Sequence, residues 1–219
     1  MKIRPRWLLP WLLSVPVAAA AQGFRFSDAD KARAEEDAAR QQHIAAQLST
    51  PCRERIKNRK IMVLIGEEVN GAVRARQGDF SPHFDAINSR LRQLGLRTYT
   101  QEEIRRQIAQ AEIDAQFRND PDAALSAARR LAASYTLRGL ISTRAMRNPM
   151  IPVNQVAVSL HFVLTGANGR RVAQAEAQSQ SFSGADVQGM ALTLINEQAD
   201  EVVAKLYSEY CQQIPAGRK

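Results

Sequence analysis

Two cysteines restrict what this chain can fold into more than any other feature of its sequence. Cys52 lies just before the first strongly apolar segment, and Cys211 lies at the end of the last predicted helix. In an exported chain, two cysteines predict one disulfide bond. That bond would close a loop of roughly 160 residues and hold the two ends of a folded domain together.

A redox pair and a metal site are the alternatives for these cysteines. The chain has no C-x-x-C motif, and its three histidines, His43, His83 and His161, are isolated from one another in the sequence. Neither alternative therefore has support in the spacing of residues. We expect a structural disulfide, with no metal site and no cofactor.

Export is predicted by the first 21 residues. Lys2, Arg4 and Arg6 form a basic segment, residues 7–17 are almost wholly apolar, and small residues lead to Ala21. This order is typical of a secretory signal peptide that is cleaved near Ala21. An uncleaved anchor is the alternative, but the run is shorter than the ~20 apolar residues of a membrane-spanning helix. We expect a periplasmic protein whose mature chain has no transmembrane segment.

The charge of the chain argues against a nucleic-acid partner. The formal net charge is +8, and about +5 remains when the three basic residues of the leader are removed. The basic residues are scattered among acidic ones, apart from a small cluster within residues 53–60, and only 6% of residues are aromatic. A nucleic-acid surface usually combines a basic stripe with aromatic residues. Most of this charge is expected to be a solvated surface, with affinity for an anionic envelope surface as the alternative.

Hydrophobic periodicity predicts alternating strands and helices in the first half of the domain. The continuous apolar run at 61–65 suits a strand that is buried on both faces. Apolar residues then recur at helical spacing until Gly95, a residue that commonly ends a helix. The predicted elements are a strand at 61–65, a loop at 66–80, a helix from Ser81 to Leu94, a strand at 96–99, helices opening at Thr100 and Pro121, and a strand at 135–144.

The second half of the domain predicts an antiparallel meander. Residues 156–164 and 172–182 alternate with strand periodicity around a turn at 166–169. Residues 147–154 contain two prolines and predict a loop, and Asp186 opens a long final helix. The fold class is therefore α/β with α+β character: a single mixed sheet, parallel in its first half, with helices packed on it.

These patterns divide the chain into four parts. We expect a signal peptide at 1–21, a helical or flexible extension at 22–50, the α/β domain at 51–212 and a flexible tail at 213–219.

Four segments carry a resemblance to a known family. The chain resembles the α/β domain shared by the TolB N-terminal domain, the curli-secretion lipoproteins, the lipoprotein activators of penicillin-binding proteins and the flagellar assembly protein T-like proteins. The resemblance implies non-enzymatic work in the cell envelope, in which partners are docked, activated or assembled. Two features depart from the family: there is no lipobox, and the loop after the first strand is polar. The matching segments are 60–65, 91–103, 128–141 and the hairpin at 165–172 with the helix that follows it.

No catalytic motif is present in the sequence. The chain lacks a Walker loop, a G-x-G-x-x-G after the first strand, H-E-x-x-H and G-x-S-x-G. Glu67, Glu68 and Asn70 follow the first strand, at the position where open α/β sheets bind ligands. They form a candidate ligand cleft, although adjacent residues of an extended segment point apart, and a surface loop is the alternative. We predict no catalytic residue and no enzymatic activity.

A candidate partner-binding surface lies in the loop between the two long central strands. Pro149, Met150, Ile151 and Pro152 place apolar side chains between prolines, which is unusual for a loop in water. The alternative is a loop that packs on its own core. The N-terminal helix and an open sheet edge are further candidates.

Three functional hypotheses follow from this sequence. The first is a periplasmic interaction module that docks onto an envelope protein of unknown identity. The second is a structural subunit of a secretion or motility apparatus, which predicts a homo-oligomer. The third is an enzyme or small-ligand carrier that uses the cleft at Glu67, Glu68 and Asn70.

Overall fold

The computed structural model of the chain describes residues 26–69, 71–147, 149–150 and 153–213. The predicted signal peptide and residues 214–219 of the predicted tail lie outside the described residues. The chain divides into two units, residues 1–37 and 38–219. The described part of the first unit is helical and belongs to helix α1. Helix α1 continues into the second unit, where its residue Ile44 is buried.

Seven helices and six strands make up the described chain. The helices are α1 (Phe26–Leu48), α2 (Arg53–Ile56), α3 (Ser81–Gln93), α4 (Gln101–Gln107), α5 (Gln110–Phe117), α6 (Pro121–Arg130) and α7 (Val187–Gln213), with a 3-10 turn at Gln77–Phe80. The strands are β1 (Lys60–Val69), β2 (Ala72–Arg74), β3 (Arg97–Thr98), β4 (Tyr135–Arg147), β5 (Asn154–Gly166) and β6 (Arg171–Ser183).

All six strands form one mixed sheet. The order is β2-β1-β4-β5-β6, and the short β3 pairs with the start of β1. Strand β1 is parallel to β3 and β4, whereas β4, β5 and β6 form an antiparallel meander. This arrangement confirms the predicted fold class, with parallel pairing in the first half and a meander in the second.

Local signals explain where several helices begin and end. Gly95 has a φ of 95° and follows the end of α3, as expected for a left-handed residue after a helix. Thr100 accepts a hydrogen bond from the Glu103 backbone N–H, while the Glu103 carboxylate accepts from the Thr100 backbone N–H. At the start of α7, Asp186 accepts from the Gly189 backbone N–H at 2.8 Å.

The predicted loop at 66–80 is wrong in its first part. Strand β1 continues to Val69, the chain turns at Gly71 with a φ of 78°, and β2 pairs antiparallel with the end of β1. This hairpin mixes charged residues with the apolar Val69, Ala72 and Val73, so its strands show no clear alternation of apolar and polar residues in the sequence. A second difference is a break at Ile108, where the predicted helix divides into α4 and α5.

One layer of the core lies between one face of the sheet and helices α3 and α7. Strand β6 turns small alanine side chains to α7, which allows the helix to pack closely on it. The alternating apolar residues of β5 lie on the same face. The buried residues of this layer include Val156, Val158, Leu160, Phe162, Leu164, Ala173, Ala175, Ala177, Leu194, Ile195, Val202 and Leu206.

The disulfide predicted from the sequence is present. Cys52 and Cys211 are joined with a Cα–Cα distance of 5.6 Å, and both residues are buried. Hydrogen bonds support the same junction: the Tyr207 hydroxyl donates to the Thr50 carbonyl at 2.6 Å, and the Cys52 backbone N–H donates to that hydroxyl at 3.4 Å. The end of α7 is therefore fixed to the segment that precedes β1.

Gly139 lies beneath an aromatic ring. The sequence suggests a bulge or close helix packing at this position, but β4 and β5 pair through it without a register shift. The neighbour directly across the sheet is Phe162, which is fully buried. A Cβ atom at Gly139 would lie 2.2 Å from Phe162 Cε1. The glycine therefore makes room for the ring.

A buried glutamine completes the outer edge of β1. The Gln77 side chain accepts a hydrogen bond from the Ile65 backbone N–H at 3.0 Å and donates to the Ile65 carbonyl at 2.9 Å. It also donates to the Ala75 carbonyl at 2.7 Å. The amide thus occupies the place of a neighbouring strand between β3 and β2.

We expect Gln77→Ala to lower the free energy of unfolding by about 2 kcal/mol, because it leaves the buried backbone groups of Ile65 without partners. Urea unfolding followed by circular dichroism measures this change. Gln107→Ala is a control, since Gln107 is an exposed glutamine at the end of α4. Equal stability of the two variants would contradict the proposed role of Gln77.

Candidate functional site

The first candidate site, at the end of β1, does not bring its residues together. Glu67 and Glu68 are half-buried strand residues, opposite Arg74 and Val73 of β2. Successive strand residues point to opposite faces of a sheet, so the two carboxylates cannot act on one ligand. Asn70 lies outside the described residues.

The structure places a histidine near Glu67 that the sequence analysis did not connect with it. Burial lowers the pKa of His83, and the nearby Glu67 carboxylate partly opposes this effect. His83 belongs to the first turn of α3, 16 positions along the chain from Glu67. Nothing in the periodicity of either segment indicates that the two come close.

A groove of about 580 Å³ lies beside this part of the fold. It is lined by residues of β2, the following segment and α5, and neither Glu67 nor Glu68 is among them. Its charged residues have both signs: Arg74, Arg76, Arg118, Asp79 and Asp114. The groove therefore has no dominant charge that would select an anion or a cation.

The second candidate site is at the far end of the β4–β5 hairpin. Arg147 and Asn154 are the last paired residues, so the predicted loop joins the two strands at their tip. Pro149 is exposed, and Met150 exposes 90% of its surface. Ile151 and Pro152 lie outside the described residues.

Register places two further apolar side chains at the same end. Met146 pairs with Gln155, and Gln155 pairs with Phe182, so the three side chains form one row on one face of the sheet. Met146 is 59% exposed and Phe182 is 58% exposed. From the usual spacing of strands, the two residues are about 10 Å apart. We call the group Met146, Met150 and Phe182 the distal tip.

The distal tip holds most of the exposed large apolar surface in the part of the chain that the structure describes. Five large hydrophobic residues are exposed there, and three of them belong to the tip. The other two are Leu48 on α1, at 38%, and Val73 on β2, at 42%. The sequence pattern indicates Met150 but not Met146 or Phe182, because their shared face depends on the strand register.

The tip continues into a polar sheet face. On the face of β5 and β6 that is turned away from α7, side chains pair across the strands: His161 Nδ1 lies 3.0 Å from Glu176 Oε1, and Gln155 donates to Gln180 at 3.0 Å. Hydrogen bonds from Gln174 and His161 lower the pKa of Glu176. Water can solvate this face, which leaves the tip as its apolar end.

The described residues show no arrangement typical of a metal site. Among residues 26–213, outside the gaps given above, no group of three or more histidine, cysteine, aspartate or glutamate side chains could hold a metal ion. In the same described residues, no helix is both long enough and apolar enough to cross a membrane.

Comparison with known proteins gives structural likenesses only. No protein-family model matches the chain. No curated protein matches it either.

Several solved structures are similar over much of the chain. The C-terminal domain of LpoB from Salmonella enterica is 14% identical, with a TM-score of 0.39, over 63% of this chain and 93% of that one. A hypothetical protein from Chlamydia trachomatis is 14% identical, with a TM-score of 0.48, over 72% and 99%. A lipoprotein from Neisseria meningitidis is 12% identical, with a TM-score of 0.39, over 66% and 97%. Because all three TM-scores are below 0.5, the functional argument rests on the residues of this chain.

Proposed function

We propose that this chain is a periplasmic, non-enzymatic docking module that binds a protein of the cell envelope through the distal tip. The observation that carries the proposal is the collection of exposed apolar side chains at one end of the sheet. Met146, Met150 and Phe182 are more than half exposed. Large apolar side chains that gather on a surface commonly mark an interaction site.

The shape of the hairpin supports this role. The parallel pairing of β1 with β4 ends at Glu68 and Ser142, so residues 143–147 of β4 extend past β1. In the described chain, only β5 pairs with this part of β4. The distal tip therefore stands at the end of the three-stranded meander β4–β5–β6, which extends past β1 and which a partner can reach from more than one side.

The chemistry of the tip suits protein recognition. Methionine is flexible and polarizable, so it adapts to the surface of a partner, and phenylalanine contributes a large apolar contact. The neighbouring polar face can supply a hydrogen-bonding rim around such a contact. Docking of this kind makes and breaks no covalent bond.

The proposed compartment rests on two features. The first 21 residues have the pattern of a signal peptide, and the Cys52–Cys211 disulfide is of the kind that persists in oxidising compartments. Both features favour a periplasmic location.

The test compares tip variants in a capture experiment. The exported protein is crosslinked to periplasmic and membrane extract, and captured proteins are identified by mass spectrometry. We expect one defined envelope protein to bind, and Met146→Asp with Met150→Asp to weaken its binding about tenfold or more, because charges replace the apolar contact.

Two controls separate docking from the competing hypotheses. Val73→Asp introduces the same charge at an exposed apolar residue outside the tip and should leave capture unchanged. Glu67→Ala with Glu68→Ala tests the ligand cleft. If the glutamate variant lost the function of the protein while the tip variant retained it, the docking hypothesis would be rejected. Binding of a small ligand in the cleft would then be favoured. Capture of the chain alone would favour a self-assembling structural subunit.

A further inference from the structure

Strand β6 is a long edge strand of the sheet. It spans 13 residues and ends the strand order, with β5 on one side. In the described part of the chain, no strand pairs with its outer side. We propose that a second copy of this chain pairs with that outer side, β6 against β6, in an antiparallel and two-fold symmetric dimer. This proposal goes beyond docking at the distal tip and uses the backbone edge of β6, which shares only Phe182 with the tip.

Hydrogen bonding shows which backbone groups face outward. The Gln174 backbone N–H donates to the Glu209 carboxylate of α7 at 2.8 Å, so it points away from β5. In an antiparallel ladder, successive residues alternate between the two sides. The N–H and C=O groups of the residues at alternate positions therefore face outward as well. These residues are Glu176, Gln178, Gln180 and Phe182.

The edge lacks the features that usually prevent strand addition. Monomeric proteins protect long edge strands with lysine, proline, bulges or a covering segment. Residues 171–183 contain neither lysine nor proline. The register shift between β5 and β6 lies at Leu164 and Thr165 of β5, opposite the start of β6. In the described structure, the protection lies near the start of the strand: the Glu209 carboxylate accepts the Gln174 backbone N–H, and Lys205 of α7 lies near Glu176.

The protected end fixes the register of the proposed pairing. Glu209 closes the edge at Gln174, and the strand ends at Ser183, so the open stretch is 175–183. The centre of that stretch is Ser179. Two open stretches overlap completely only when the two-fold axis passes beside Ser179 of both copies. In this register, the outward backbone groups form about eight hydrogen bonds.

Self-complementarity of the side chains favours a second copy over an unrelated strand. On the polar face, Glu176 lies opposite Phe182 of the partner subunit, and Gln178 lies opposite Gln180 of the partner subunit. No like charges oppose each other, and the stem of the glutamate covers part of the exposed ring. On the other face, alternate residues from Ala175 to Ser183 are alanine or serine, so small side chains meet small ones.

Cysteine crosslinking tests this register. In the proposed dimer, the two Ser179 Cα atoms are about 4.5 Å apart, the usual distance for a non-hydrogen-bonded pair. The two Ser181 Cα atoms are about 14 Å apart, beyond the reach of a disulfide. Both native cysteines are bonded to each other, so an added cysteine is the free thiol. We expect Ser179→Cys to form a covalent dimer on mild oxidation and Ser181→Cys to form no covalent dimer.

A proline variant tests the hydrogen bonds of the edge. Gln178→Pro removes an outward N–H without removing a bond to β5, and proline is tolerated at such edge positions. Two central hydrogen bonds of the dimer are lost, so the dissociation constant should rise roughly 10- to 100-fold. Light scattering after gel filtration over a concentration series measures the change, and circular dichroism confirms folding.

Matched variants and clear outcomes complete the test. Ser159→Lys changes the charge of the same sheet face in β5, and the Met146→Asp with Met150→Asp variant changes the tip. Both should dimerise like the wild type. A wild-type protein that is monomeric at every concentration would overturn the proposal. Equal crosslinking of the Ser179→Cys and Ser181→Cys variants would also overturn it.

Discussion

A variant with both Cys52→Ala and Cys211→Ala is expected to lose about 4–5 kcal/mol of unfolding free energy. The bond joins residues separated by 159 positions, so its removal restores much freedom to the unfolded chain. A loss of this size is comparable with the whole stability of many domains. Urea unfolding of the wild type and the variant measures it, and the slope with urea should increase because the unfolded chain expands.

Reduction of the wild type is the matched control for this variant. Dithiothreitol added in the unfolded state should lower the stability by the same amount, because it breaks the same link without changing the sequence. The hydrogen bonds of Tyr207 to Thr50 and Cys52 do not need the disulfide and should keep the native state defined. A variant as stable as the oxidised wild type would show that the junction holds without the bond.

The second large effect is expected at Gly139. Gly139→Val should lower the unfolding free energy by about 3 kcal/mol, because an added side chain overpacks the core at the Phe162 ring. The position of a new Cβ, 2.2 Å from Phe162 Cε1, leaves no space unless the ring moves. Thermal and urea unfolding measure the loss.

Two further variants test whether the Phe162 ring causes this loss of stability. Gly184→Ala changes a glycine that has no atoms within 4 Å of a new Cβ, and it should leave stability nearly unchanged. Phe162→Leu shortens the opposing side chain, so Gly139→Val should cost less in that background than in the wild type. Additive effects of the two substitutions would exclude the proposed contact.

The parts of the fold that sequence predicted are those with strong local signals. The apolar run at 61–65 is buried on both faces, the residues of the meander alternate, and Thr100 and Asp186 open helices. The disulfide was predicted from the signal-peptide pattern and from the presence of two cysteines. In each case, a few neighbouring residues carry the information.

The missed elements depend on contacts between distant residues. The β1–β2 hairpin mixes charged and apolar residues without clear alternation and is held by backbone pairing, so its sequence resembles a loop. The break at Ile108 has no glycine or proline; instead, Glu112 accepts from the Ala109 backbone N–H and opens a new helix. Gly139 suggested a bulge or close helix packing, because the ring that covers it comes from another strand and leaves no local signal.

The residues of the candidate sites also divide into those with a local sequence signal and those brought together by contacts between distant segments. Met150 was predicted because prolines flank its position in the loop. Met146 and Phe182 join the same surface only through the register of three strands, which the sequence does not show. Glu67 and Glu68 are placed in β1, and their role in ligand binding remains a prediction. The edge of β6 also required the register, because sequence does not show which backbone groups face outward.

In the export that we propose, the parallel pairing of β1 has a consequence for the timing of folding. Ile61 pairs with Tyr135, so a chain that crosses a membrane amino-terminus first delivers β1 well before its partner. Before β4 has crossed the membrane, the apolar strand β1 is exposed without the strand that pairs with it. Exposed apolar segments of this kind are prone to aggregate. Cys211 crosses later still. We expect oxidation to be a final step, and a periplasmic chaperone to be needed in the interval.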